Sequence, residues 1–210
     1  MSFSVDFAHS QQLPDSLQWE GRSTSHSIKD GVGLLVQPAD KTDFWRITYY
    51  DPPFVKHDGV TLTCKAPTSI NTWSIETEFS LKAVHQFDQA GIIVKIDSER
   101  WMKTGIEYVD GIPRMSAVVT NHYSDWSTQS WGGDSSHVRV RVSKIRDSLV
   151  AEYYRNDQWV FMRIAHLDGV DSPDTTVSAG VYTCAPTKAG MTTIFHQMKF
   201  LDTVAFDHKN

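Results

Sequence analysis

Alternation of apolar and polar residues is the dominant pattern along this chain, and it repeats every second residue. Between residues 73 and 81, Ser and Glu alternate with a mostly apolar set, namely Trp73, Ile75, Thr77, Phe79 and Leu81. A period of two places one set on each face of a β-strand. Residues 137–142 repeat the pattern. Residues 90–96 are apolar on both sides, which is typical of a central strand.

Turn-forming residues separate such segments at short spacing, and no segment of helical length carries an apolar stripe. The pattern predicts further strands at residues 149–154, 159–164, 177–183 and 193–201. This succession is typical of an all-β sandwich. A chain of 210 residues is long enough to bury a full core as one domain, residues 1–210. The segment up to about residue 40 is expected either to add edge strands or to wrap the sandwich as a loop.

The clearest local prediction is a hairpin over residues 101–120. Asp110 and Gly111 are residues that accept positive φ, which both central positions of a type I′ turn require. If these two residues form the loop, Val109 faces Ile112. The register of the whole hairpin then follows from that pair.

One face of this hairpin carries a tryptophan and a row of charges. The register places Glu107 opposite Arg114, where a cross-strand ion pair worth about 0.2–1 kcal/mol would lower the pKa of the carboxyl. Lys103 faces Val118 and has no acid partner in this register, so it is expected to reach for water, a ligand or an acid on the neighbouring strand. Two interpretations remain: a solvated structural face, or a platform that binds a sugar through an aromatic ring and charged groups. The second predicts that Trp101, Lys103, Glu107 and Arg114 share an open concavity that the N-terminal segment does not cap.

A second tryptophan, Trp126, follows polar residues in a segment predicted to be a loop. An exposed tryptophan at a loop tip would be a binding feature. The alternative is a ring that plugs one end of the sandwich. The candidate ligand-binding residues are therefore Trp101, Lys103, Glu107, Arg114 and Trp126.

No catalytic residue is predicted. Jelly-roll glucanases supply their acids from one strand in a Glu-x-Asp-x-x-Glu pattern, and this sequence has none. Glu76 and Glu78 share one strand face but lack a third acid, and Glu107 has only Asp110 nearby, which the turn needs. A glycoside hydrolase whose acids follow another pattern is the competing interpretation. No zinc, phosphate-binding or dinucleotide motif occurs, so neither a metal nor a cofactor is predicted.

Composition limits the classes of binding partner and the cellular compartments that fit this chain. The formal charge of −5 argues against a nucleic-acid partner. The basic cluster is interpreted as a solvated face and comprises Arg139, Arg141, Lys144 and Arg146. The two cysteines, Cys64 and Cys184, are expected to be free thiols, with a bridge between them as the alternative. Neither a signal-peptide pattern nor an apolar run of membrane-spanning length is visible, which favours the cytoplasm and no membrane contact.

Six sequence blocks carry a family resemblance that no single motif would carry. They are TDFW (42–45), DQAG (88–91), the run 101–111, VVTN (118–121), SDWS (124–127) and GVYTCAP (180–186). In this order they resemble the concanavalin A-like domain family of unknown function that includes the yeast "regulation of enolase" protein. The resemblance covers roughly residues 33–200. It implies a two-sheet antiparallel jelly-roll sandwich of the lectin and glucanase type.

The resemblance implies less about activity than about fold, because jelly rolls serve as lectins, glycosidases and plain interaction domains. We expect a non-catalytic cytoplasmic binding or regulatory protein. Its partner would be a protein, with enolase suggested by the relative, or a carbohydrate. A lectin-like module linked to carbohydrate metabolism and a jelly-roll glycoside hydrolase are the alternatives.

Overall fold

The computed structural model describes residues 3–67, 72–202 and 206, and these residues form strands and loops without a helix. The first nine strands are β1 (Phe3–Asp6), β2 (Gln18–Glu20), β3 (Ser23–Lys29), β4 (Gly33–Pro38), β5 (Phe44–Ile47), β6 (Phe54–His57), β7 (Val60–Lys65), β8 (Thr72–Lys82) and β9 (Gln89–Lys95). The remaining eight are β10 (Arg100–Val109), β11 (Ile112–Asn121), β12 (Tyr123–Ser130), β13 (Val138–Ile145), β14 (Ser148–Arg155), β15 (Gln158–His166), β16 (Ser178–Cys184) and β17 (Thr192–Leu201).

Two antiparallel sheets contain all strands except β5 and β6. Sheet A has the order β15-β14-β13-β8-β17-β4-β3, with β1 also paired to β17. Sheet B has the order β12-β11-β10-β9-β16-β7-β2. The predicted all-β, two-sheet jelly-roll sandwich is therefore confirmed. Within the part of the chain that the structure describes, no helix is long and apolar enough to cross a membrane.

The main core lies between the two sheets. Ile75 and Phe79 of β8 and Met102 and Ile106 of β10 belong to one cluster of buried side chains. Because side chains alternate along a strand, the intervening residues of β10 point to the outer face of sheet B. That face therefore carries the charged row singled out in the sequence.

The predicted hairpin of residues 101–120 is confirmed as the β10–β11 pair. Asp110 and Gly111 have φ values of 52° and 84°, as a type I′ loop requires. Val109 pairs with Ile112, and the register continues to Trp101 as predicted. Two-residue loops of this kind fix the register because their twist matches that of the strands.

The N-terminal segment adds edge strands, which was one of its two predicted arrangements. The strand β2 pairs with β7 at one edge of sheet B, and β3 pairs with β4 at one edge of sheet A. The segment therefore extends both layers of the sandwich at their outer margins.

Both cysteines are free thiols, as predicted. Burial raises the pKa of the Cys64 thiol to about 11. Burial likewise raises the pKa of Cys184 well above its usual value. Neither sulfur is therefore a ready nucleophile near neutral pH.

A separate two-stranded hairpin, β5 with β6, lies outside both sheets and covers the outer face of sheet B. We call residues 44–57 the lid hairpin. Its first residue, Phe44, packs edge-on against Trp101 and Tyr182, with ring centroids 5.7 and 6.4 Å apart. The backbone N–H of Arg46 donates to Ser124 Oγ of β12 at 2.9 Å. These contacts fix the lid hairpin over the charged row.

Candidate functional site

A pocket of about 760 Å³ opens between the lid hairpin and the outer face of sheet B. Its charged lining residues are Asp43, Lys103, Glu107, Asp110 and Asp125. Its aromatic lining residues are Trp45, Tyr49, Tyr50, Phe87 and Trp126. A concave site with aromatic walls and a few polar groups is the usual form of a small-molecule site.

Lys103 lies on the pocket floor and is only 3% exposed. Its Nζ donates to Asp43 Oδ1 at 3.0 Å, so an acid from outside the hairpin supplies the partner that the β10–β11 register lacks. Burial pushes the pKa of Lys103 down, but the carboxylates of Asp43 and Glu107 outweigh that effect and raise it. The ammonium therefore keeps its proton at neutral pH.

Glu107 is buried beside Lys103, with Gly105 between them on the same face of β10. Its Oε2 accepts hydrogen bonds from Ser116 Oγ at 2.6 Å and from the indole N–H of Trp126 at 3.0 Å. Its Oε1 has no hydrogen-bond partner among residues 3–67, 72–202 and 206. One half of the carboxylate is therefore held in place, and the other half is free for a ligand.

The predicted ion pair between Glu107 and Arg114 does not form. The two residues are register partners, but the Glu107 carboxylate turns along the sheet toward Ser116 and Trp126. Arg114 is half-buried near the start of β11 and does not line the pocket. The indole and hydroxyl donors of the neighbouring strands thus replace the expected guanidinium.

The pKa of Glu107 moves in the opposite direction from the one predicted. Burial raises the pKa of this carboxyl, while the Lys103 ammonium and the hydrogen bonds from Ser116 and Trp126 oppose the rise. The repulsion of Asp43 raises the pKa further. The predicted lowering depended on Arg114, which makes no contact with the carboxylate.

Trp126 lies within a strand and not at a loop tip or at the end of the sandwich. The turn before it is a single residue, His122 with φ of 66°, so β12 begins at once and pairs Trp126 with Val118. Trp126 is 39% exposed, and its indole meets Phe87 edge-on, with ring centroids 6.3 Å apart. Trp126 therefore forms one wall of the pocket and donates to Glu107 on its floor.

Trp101 is fully buried and is not an exposed platform. Its indole N–H donates to the carbonyl of Ser98 at 3.3 Å, and Phe44 of the lid hairpin covers its ring. The Lys103 ammonium lies 5.9 Å from the ring centroid. Trp101 therefore supports Lys103 and the lid hairpin from below.

The structure brings three of the five candidate residues to one pocket: Lys103, Glu107 and Trp126. It separates Trp101, which lies beneath the lid hairpin, and Arg114, which lies outside the lining. The prediction of one open concavity shared by the charged row is thus wrong for these two. The cover comes from the lid hairpin and not from the N-terminal segment. Which of the five contact a ligand stays a prediction.

Asp43 and the aromatic residues of the lid hairpin were missed by the sequence reasoning. The signal available was the density of rings between residues 44 and 54, which includes Trp45, Tyr49 and Tyr50. Tyr49 is 91% exposed, and Ile47 has φ of 65°, which is unfavourable for a β-branched residue. Strained backbone of this kind persists mainly at functional sites.

The outer face of sheet A, on the opposite side of the sandwich, carries a charged network of its own. Arg141 is nearly fully buried and donates through Nε and Nη2 to Glu152 Oε2 at 2.8 and 2.7 Å. Its guanidinium stacks 4.2 Å from the ring centroid of Trp159. The interpretation of the basic cluster as a solvated face is therefore wrong for Arg141 and for Lys144, which is also buried.

No group of three His, Cys, Asp or Glu side chains in the described part of the chain is arranged to hold a metal ion. The lining of the pocket offers aromatic rings, one ammonium and several carboxylates. These groups can bind hydroxyls, amines and the C–H faces of a ring.

Comparison with known proteins finds a matching protein family and related proteins. A family model described as "Protein of unknown function (DUF1349)" matches residues 19–202. A Saccharomyces cerevisiae protein named "Regulation of enolase protein 1" is 32% identical over 165 residues, which cover 78% of this chain and 79% of that protein.

Solved structures share the fold. The crystal structure of a functionally unknown protein from Saccharomyces cerevisiae matches with a TM-score of 0.74 at 27% identity, over 89% of this chain and 93% of that chain. The structure "Bacteroides ovatus Xyloglucan PUL GH43B" matches with a TM-score of 0.72 at 13% identity, over 94% of this chain but 38% of that one. The second likeness concerns the fold alone.

Proposed function

This chain belongs to the DUF1349 family, and from the pocket it carries we propose that it is a non-catalytic binding protein for a small polar ligand of carbohydrate size. The observation that carries the proposal is the meeting of Lys103 and Glu107, both buried, with five aromatic rings in one open pocket. Burying a charge costs several kcal/mol per ion, and a buried ion pair is weak evidence of a stabilising role. A volume of about 760 Å³ lies within the range of small-molecule sites.

The chemistry of the pocket suits a sugar. Aromatic rings such as Trp126 and Phe87 can cover the C–H faces of a pyranose. Oε1 of Glu107 can accept a hydrogen bond from a sugar hydroxyl, and the ammonium of Lys103 can donate one to a hydroxyl oxygen. Charged partners make such hydrogen bonds stronger than neutral ones.

A regulatory role is supported by the relative named for regulation of enolase. We propose that ligand occupancy of the pocket controls contact between this chain and a protein partner, with enolase as the partner which that name suggests. The exposed aromatic rings of the lid hairpin, Tyr49 and Tyr50, would present the partner surface. A cytoplasmic location and a link to carbohydrate metabolism are parts of the same proposal.

A glycoside hydrolase is the second candidate, and one observation favours it. Burial raises the pKa of Glu107, as the general acid of a glycosidase requires. However, Asp43, the carboxylate paired with Lys103 on the floor, also accepts the backbone N–H of Phe44 and is not free to act as a nucleophile. We therefore place binding before catalysis.

Measurements of sugar binding to the purified protein test this proposal. Isothermal titration and saturation-transfer NMR with a panel of mono- and disaccharides are expected to show saturable binding. Trp126→Ala should weaken it by roughly tenfold to thirtyfold, because truncating a central aromatic contact typically costs about 1.4–2 kcal/mol. Chromogenic glycosides should release no chromophore above the blank.

Trp159→Ala is the matched control, since Trp159 stacks on Arg141 across the sandwich. This variant should retain the affinity of the natural chain. Equal weakening by both variants would contradict the assignment of binding to the pocket. Turnover of a glycoside that Glu107→Gln abolishes would replace the binding proposal with the hydrolase.

A further inference from the structure

The charged residues that line the pocket carry a net negative charge. Among its described lining residues, four are carboxylates, namely Asp43, Glu107, Asp110 and Asp125, and the cation is Lys103. Lys103 is already paired with Asp43 at 3.0 Å. An anionic ligand would therefore meet a net negative surface.

Not all of these carboxylates are equally available. Asp125 is paired with Arg163 at 3.1 Å, and Asp110 accepts a hydrogen bond from Gln86 Nε2 at 2.9 Å at the rim. Glu107 differs because it is 6% exposed and its Oε1 has no hydrogen-bond partner in the part of the chain that the structure describes. Its Oε1 is open to the pocket, and a charged donor would form the strongest hydrogen bond with it.

The aromatic walls point to the same ligand chemistry. Trp126 and Phe87 stand beside Glu107, and Trp45, Tyr49 and Tyr50 face them from the lid hairpin. The faces of such rings attract cations, and clusters of them recognise ammonium groups. A cation in this pocket would thus meet aromatic rings and an unpaired carboxylate oxygen together.

We propose that the pocket selects ligands that carry a protonated amine, such as amino sugars, over neutral or anionic ligands of the same shape. The amine donates to Glu107 Oε1, and the ring faces of the walls surround it. Phosphorylated and carboxylated sugars are excluded by the same carboxylates. This inference rests on the proposed function, because it names the ligand class of the same pocket.

Three probes that share one pyranose ring separate the possibilities: glucosamine, glucose and glucose 6-phosphate. We would measure their affinities at constant ionic strength and at about pH 6.5, where the amine is mostly protonated. Glucosamine is expected to bind about tenfold more tightly than glucose, the gain from one charge-assisted hydrogen bond. Glucose 6-phosphate is expected to bind more weakly than glucose.

The variant Glu107→Gln tests the role of the carboxylate. It keeps the shape of the side chain and removes its charge, so glucosamine affinity should fall more than glucose affinity and the ratio of the two should fall to about one. Glu78→Gln is the matched control on the outer face of sheet A and should leave the ratio unchanged.

The outcomes distinguish this inference from the proposal on which it rests. Equal binding of glucosamine and glucose would overturn the preference for amines and leave the pocket as a sugar site. Tightest binding of glucose 6-phosphate would overturn the charge inference in the same way. Failure of all three probes to bind would contradict both.

Discussion

Replacing Asp43 with Asn is expected to lower the free energy of unfolding by about 3 kcal/mol. Lys103 is 3% exposed, and Asp43 Oδ1 lies 3.0 Å from its ammonium. Removal of the acid leaves a buried cation without its direct partner, and such losses commonly cost about 3–5 kcal/mol. We expect the lower end of that range because the carboxylate of Glu107 remains nearby.

Chemical denaturation of four proteins measures this cost: the natural chain, Asp43→Asn, Lys103→Met and the double variant. The double variant should be more stable than Asp43→Asn alone, because it no longer buries the Lys103 ammonium without its direct partner. A cost below about 0.5 kcal/mol for Asp43→Asn would mean that the pair behaves as an exposed ion pair. The assignment of Lys103 and Asp43 to a buried ion pair on the pocket floor would then be wrong.

Replacing Glu152 with Gln is expected to cost a similar amount, about 3 kcal/mol, on the opposite side of the sandwich. Arg141 donates twice to Glu152 Oε2, and both side chains are almost fully buried. Glu76, whose Oε1 lies 3.5 Å from Nη1 of Arg141, remains as a weaker partner. That remaining pair should prevent complete loss of folding.

Glu152→Gln also serves as a stability-matched control for Asp43→Asn. Ligand affinity, measured where both variants are fully folded, should be unchanged in Glu152→Gln and reduced in Asp43→Asn. The reason is that Asp43 lines the pocket, whereas Glu152 lies in sheet A. A parallel loss of affinity in both variants would show that binding follows global stability and not the pocket floor.

The β10–β11 hairpin was predictable in full because its signals are local. The Asp110–Gly111 loop and the alternation of the two strands each specify the same register. The partner of Lys103 was not predictable, since Asp43 lies 60 residues away along the chain. No local pattern says which distant segment will cover one face of a sheet.

The lid hairpin escaped prediction for a related reason. Its strands β5 and β6 have four residues each, and they pair with each other outside both sheets. Arg141 shows the same limit, because alternation marks a polar face without telling whether aromatic rings such as Trp159 will cover it. Sequence periodicity thus predicts which way a side chain points, and tertiary contacts decide what it meets.

Tryptophan indole signals provide the most direct test of the pocket as the binding site. The chain has seven tryptophans, of which Trp45 and Trp126 line the pocket and Trp159 lies across the sandwich. Titration of glucosamine into isotope-labelled protein, followed by heteronuclear NMR, should shift the indole N–H signals of Trp45 and Trp126 with one midpoint and leave Trp159 in place. A saturable shift of Trp159 with Trp126 unmoved would contradict the account.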